Sequence, residues 1–124
     1  MSKPVDRPKL RRIFATASLE MIPYDLDGPV QDDISYAPLS YDPVTQYGSY
    51  LMRMQPGSAT IAHVHDRREE FLVLEGQAIE SDGTVLSPGD WIVYEPGSAH
   101  NTRTETGCVL LGLDWKPPQQ GSAQ

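Results

Sequence analysis

The chain contains three histidines, His63, His65 and His100, and all fall inside or beside segments with strand character. His63 and His65 are two apart, so on a strand they project from one face, roughly 6.6 Å apart along the backbone. Glu69 lies four residues beyond His65, past the charged corner Asp66-Arg67-Arg68, and can return a carboxylate to the same spot from the next strand. His100 follows the turn Pro96-Gly97, which lets a distant strand end point inward. Three imidazole nitrogens and one carboxylate oxygen suit a single Fe(II), Mn(II), Ni(II), Co(II) or Zn(II) ion. On a metal that prefers six ligands, such a set leaves room for a substrate or dioxygen. Each residue also has an ordinary use on the surface or in a hydrogen bond, and Glu70 competes with Glu69 for the carboxylate role. What carries weight is that the whole histidine supply lands where an antiparallel barrel could gather it.

The elements that must do this gathering are short. Ten glycines and eleven prolines among 124 residues favour brief strands between turns over long helices. Strand patterns are predicted near 34–39, 50–54, 59–64, 70–74, 77–80, 85–86, 91–95 and 108–114, with Asp82-Gly83 as a hairpin signal. Spaced in this way, they predict an all-β antiparallel sandwich or barrel. Residues 1–22 form a basic N-terminal tail or arm, 23–115 the single barrel domain and 116–124 a flexible C-terminal tail. Within the arm, Leu10, Ile13, Phe14, Ala17 and Met21 sit at helical spacing, yet Ile13-Phe14-Ala15-Thr16 suits a sheet edge equally well.

Charge and composition exclude several classes. The net charge of −7 divides into +4 over residues 1–12 and −11 over the rest. An acidic body repels phosphate, so nucleic acid is excluded as a partner of the main domain. The longest apolar runs, such as Phe71-Leu72-Val73-Leu74, are far below the roughly 20 residues of a membrane span. Arg11-Arg12 lacks the apolar stretch of an export signal, because Ser18, Glu20, Tyr24, Asp25 and Asp27 occupy that space. The single cysteine, Cys108, allows no internal disulfide, and a cytoplasmic setting is expected.

The spacing of these residues resembles the cupin superfamily. Its first motif, G-x5-H-x-H-x3-E-x6-G, is matched without a gap by Gly57, His63, His65, Glu69 and Gly76. Gly89, Pro96, Gly97 and His100 follow the second motif, G-x5-P-x-G-x2-H-x3-N, with departures. Six residues separate Gly89 from Pro96, Pro96 and Gly97 are adjacent, and Asn101 directly follows His100. Residues 69–76, 94–100 and 107–108 are similar to ChrR-type cupins, a group that includes an anti-sigma factor domain and resembles acetylacetone-cleaving dioxygenase. The resemblance covers about residues 30–114. It implies a double-stranded β-helix, the cupin jelly-roll barrel, with a metal held inside by His63, His65, Glu69 and His100. The diketone-cleaving enzyme is known for three histidines without a carboxylate. Glu69 therefore weakens a direct transfer of that activity.

Three functions are carried forward. The first is a metal-dependent enzyme of dioxygenase type, with Fe(II) favoured, acting on a small enolisable or aromatic ketone; Arg53 is either its anion clamp or an outer salt-bridge residue. The second is a sensing module like the ChrR cupin, and the third a barrel stabilised by a structural metal. Of Trp91/Val93 and Ile92/Tyr94, one pair lines the barrel. Met52, Met54 and Cys108 are expected in the core, and most of the six tyrosines in ordinary packing. Arg67-Arg68 is expected to face solvent in a loop that could gate entry. A small organic ligand and a homodimer are the expected partners, with residues 10–22 as the segment exchanged.

Overall fold

The computed structural model describes residues 4–5, 9–64 and 66–116. Strands β1 (Ile22–Tyr24), β2 (Gln31–Pro38), β3 (Gly48–Met54), β4 (His63–Val64) and β5 (Arg68–Gly76) make up the first half. The second half holds β6 (Ala78–Glu80), β7 (Val85–Leu86), β8 (Trp91–Tyr94), β9 (Ala99–His100), β10 (Thr102–Arg103) and β11 (Cys108–Trp115). All pairings are antiparallel. A six-stranded sheet runs β1-β2-β3-β11-β5-β8, faced by a three-stranded sheet β10-β6-β7 and the two-stranded ribbon β4-β9. This is the antiparallel barrel expected from the strand spacing, in the jelly-roll form that the cupin resemblance implies.

Alternation along the strands decides which residues face the interior. On β3, Tyr50, Met52 and Met54 are buried and Arg53 is exposed. On β5, Phe71 and Val73 point inward with Glu69, while Glu70 turns outward and accepts a hydrogen bond from the Trp91 indole (2.9 Å). Ile92 and Tyr94 pack on the core, and Trp91 and Val93 stay exposed on the edge strand β8. Tyr24, Tyr36, Tyr50 and Tyr41 form a chain of edge-to-face contacts with centroids 5.6–6.3 Å apart, a packing role. Cys108 is buried among them in the core cluster.

Gly112 lets the central strands close over the interior. A Cβ there would lie 2.4 Å from the Tyr50 ring, so only glycine leaves space for that side chain. In the N-terminal arm, the open choice between helix and strand resolves to neither. A single 3-10 turn spans Thr16–Ser18, and the regular sheet begins at Ile22. Leu10 and Ile13 are exposed, so the helical stripe has no surface against which to bury. Residues 1–3, 6–8 and 117–124 lie outside the described residues, and with them all of the C-terminal tail but Lys116.

Candidate functional site

The ribbon β4-β9 brings His63 directly opposite His100. Gly97, with φ of +94°, supplies the left-handed turn that delivers β9 to this position. The two imidazole centroids are 6.0 Å apart. His63 and His100 line one narrow cavity together with Glu69. Much of its remaining wall is apolar, with Met52, Phe71 and Leu110 from the large sheet. His65 lies outside the described residues.

Both histidines are oriented through Nδ1. His63 Nδ1 is 2.9 Å from the Ile61 carbonyl oxygen, and His100 Nδ1 is 2.8 Å from Glu80 Oε1. Each Nδ1 therefore donates, and each Nε2 turns to a carboxylate of the cavity. His100 Nε2 lies 3.1 Å from Glu69 Oε1, and His63 Nε2 lies 3.4 Å from Asp27 Oδ1. Glu80 is only 3% exposed. It accepts hydrogen bonds from the Tyr94 hydroxyl, the Thr102 hydroxyl and His100, so its buried charge is well compensated. Tyr94 also stacks on the His100 ring at 3.8 Å, which fixes the imidazole plane.

Electrostatics follow from this packing. Burial works to lower the His100 pKa, but hydrogen bonds and charge from Glu69 and Glu80 outweigh it and lift the value to about 9. Burial likewise pushes Asp27 up, against the pull of His63 and the hydrogen bond from the Tyr24 hydroxyl (2.9 Å). Asp114, at the end of β11, is raised to about 8 by burial and by the neighbouring Glu69 carboxylate, with Arg67 opposing.

A second, wider hollow shares Tyr24, Asp27, His63 and Glu69 with the first and forms its vestibule, reaching Asp114, Gln46 and Arg67. Arg67 is the cation at this mouth. Its guanidinium donates to Asp66, to the Gln46 carbonyl and to Gln46 Oε1, at 2.9–3.1 Å. It also sits over the Tyr47 ring. Arg53 is elsewhere: it lies on the outer side of β3, where strand alternation turns it away from the cavity, beside Glu75 and Thr106. Its place as a clamp on a ligand in this cavity is thereby corrected.

His63, Glu69 and His100 line one cavity, and Glu70 faces outward to the Trp91 indole. Sequence reasoning missed Asp27, Glu80 and Asp114. Glu80 and Asp114 did leave a signal, because each puts an acid where alternation with Ala78 or with Cys108 and Leu110 calls for an apolar residue. Asp27 sits in a loop with no such pattern.

Known structures share this architecture. An RmlC-like cupin from Shewanella frigidimarina is 19% identical, with a TM-score of 0.65, covering 88% of this chain and 91% of that one. A predicted oxalate decarboxylase from Thermotoga maritima is 16% identical at a TM-score of 0.65, covering 82% of this chain and 96% of its own. The polyketide cyclase RemF from Streptomyces resistomycificus is 20% identical at the same score, covering 88% and 82%. At such identities the likeness defines a cupin fold. The model of the ChrR cupin-like domain matches residues 22–116, and the chain belongs to that family. No curated protein matches the sequence. Among the described residues, no helix is long and apolar enough to cross a membrane.

The family resemblance implies a metal, and the donors present can be weighed against one. Among the described residues, no three His, Cys, Asp or Glu side chains already converge as an ion site. The chemistry nevertheless fits. Two imidazoles with Nδ1 engaged by acceptors offer Nε2, and a carboxylate lies beside one of them, an arrangement typical of oriented metal ligands.

Proposed function

We propose that the chain is a mononuclear metal-binding cupin that carries out dioxygenase-type chemistry on a small enolisable or aromatic ketone. The ligands are His63, His65, Glu69 and His100. The observation that carries this reading is the pair His63 and His100, facing each other with both Nδ1 atoms engaged and both Nε2 atoms turned to the cavity that Glu69 lines. When bound, the metal supplies Lewis acidity and, as Fe(II), the electrons for oxygen chemistry; Mn, Ni, Co and Zn are the alternatives.

The chain's own residues prepare this chemistry. His100, whose pKa stands at about 9 in the metal-free site, gives up its Nε2 proton on loading, so uptake near neutral pH releases a proton. Glu80 stays behind His100 and holds Nδ1–H, which keeps the ring basic at Nε2. Met52, Phe71 and Leu110 form an apolar inner wall behind the histidines that limits water there. Membership of the ChrR-like family supports a second reading, a module that senses a metal or ligand without turnover. The exposed Trp91 and Val93 on edge strand β8 support a homodimer.

Oxygen consumption by the iron-loaded protein, tried on β-diketones and hydroxyacetophenones, separates the two. Substrate-dependent uptake is expected. Its absence across the panel, with iron bound, would overturn the dioxygenase reading in favour of sensing.

A further inference from the structure

Asp114 stands inside the vestibule without a structural partner. It is 7% exposed, and its Oδ1 has no hydrogen bond. An unpaired buried acceptor destabilises the fold, a penalty that an apolar residue at the end of β11 would remove. Among the described residues, one other buried side-chain oxygen is in this condition, Oε1 of Gln31. The Gln31 amide nitrogen, however, is anchored to the Ala59 carbonyl at 2.7 Å, so that side chain has a structural task. The nearby cation does not fill the gap at Asp114, because the Arg67 guanidinium is committed to Asp66 and Gln46.

The vestibule thus presents carboxyl groups of Asp27, Glu69 and Asp114, one of which has an acceptor oxygen awaiting a donor. It opens directly into the cavity whose far wall is apolar. We propose that this vestibule is a ligand subsite in which Asp114 accepts a hydrogen bond from an N–H or O–H group of a small organic molecule. The apolar part of that molecule lies in the vestibule against Tyr24, Leu26 and Tyr41. This rests on the reading of the cavity as a small-molecule site. An ammonium gains the further attraction of Asp27 and Glu69, and a hydroxyl makes the hydrogen bond alone. A carboxylate in this subsite meets like charge and is rejected.

Matched probes on one ring test this: benzylamine, benzyl alcohol and benzoate, titrated calorimetrically into the full chain with and without bound metal. The amine and the alcohol are expected to bind about tenfold or more tightly than benzoate, a difference of about 1.4 kcal/mol. Asp114→Leu should erase that preference while keeping the metal content and raising or preserving the thermal midpoint. Asp114→Asn, close in shape and still carrying an acceptor oxygen, should fold like the wild type and keep most of the preference. Benzoate binding as tightly as benzylamine, no binding of either donor probe in both metal states, or an unchanged preference in Asp114→Leu would each overturn the proposal. So would lowered thermal midpoints in both variants, which would make Asp114 a structural residue. A donor preference that persists without metal supports the subsite even where the metal reading fails.

Discussion

The two ends of the barrel solve different problems with the same strands. At one end Ile34, Met54 and Val73 are almost wholly removed from water, and Ala78, Leu86 and Cys108 pack around them. At the other end the same sheets bury His100, Glu80, Thr102 and Asp114. Two residues further along β6 or a few along β11, the inward position changes from alanine or leucine to an acid. The apolar end stabilises the fold through area removed from water. The polar end gives up part of that gain to hold groups in defined orientations. Within the polar end there is a further division: Glu80 is fully engaged by its three donors, whereas Asp114 is left with an unpaired oxygen.

Substitutions can break this division if it is wrong. The largest effect belongs to the apolar end. Met54→Ala should cost about 2–5 kcal/mol in denaturant unfolding, with the folded fraction keeping its metal. A loss of metal with little loss of stability would mean that the two ends are not separable.

The next effect is one of pH. Asp114 holds its proton up to about pH 8 in the fold, against an ordinary value of 3.8, through burial and Glu69 with Asp27 and Asp66 adding and Arg67 opposing. A raised folded pKa means tighter proton binding when folded. The associated stability is fully present below about pH 4 and is lost as pH rises through about 8. Thermal melts across this window should therefore show a decline, and Asp114→Asn should flatten it. An equally steep decline in the variant would assign the pH dependence to other groups.

At the engaged part of the site, Glu80→Gln replaces the acceptor behind His100. Metal affinity should fall about 10–100-fold, as for other partners behind a histidine ligand, measured by competition with a chelator. Unchanged affinity would show that the hydrogen bond to His100 orients nothing of consequence. The smallest effect is expected at Arg53, on the outside of β3. Arg53→Ala should shift stability by less than about 0.5 kcal/mol and leave metal and ligand binding alone.

The legible parts of this molecule were those governed by short-range rules. Turn residues at regular intervals marked the strands, and His63, Glu69 and His100, singled out by their spacing, line one cavity. Arg53 could have been placed correctly from its own strand, since Met52 and Met54 on either side were expected in the core and two-residue periodicity turns Arg53 out. The N-terminal arm was ambiguous for a physical reason: its apolar stripe fits two periods and is settled by tertiary partners. Asp27 and Arg67 reach the site from loops, whose paths depend on contacts such as Arg67 with Gln46 that no local pattern encodes.

Metal content bears most directly on the central claim. Elemental analysis of untagged protein, purified without added metal and then reconstituted, would be set beside a His63→Ala/His100→Ala double variant with intact fold. The account predicts about one divalent transition metal per chain in the wild type and none in the variant. An empty wild type after reconstitution, or a variant that keeps its metal, would contradict it.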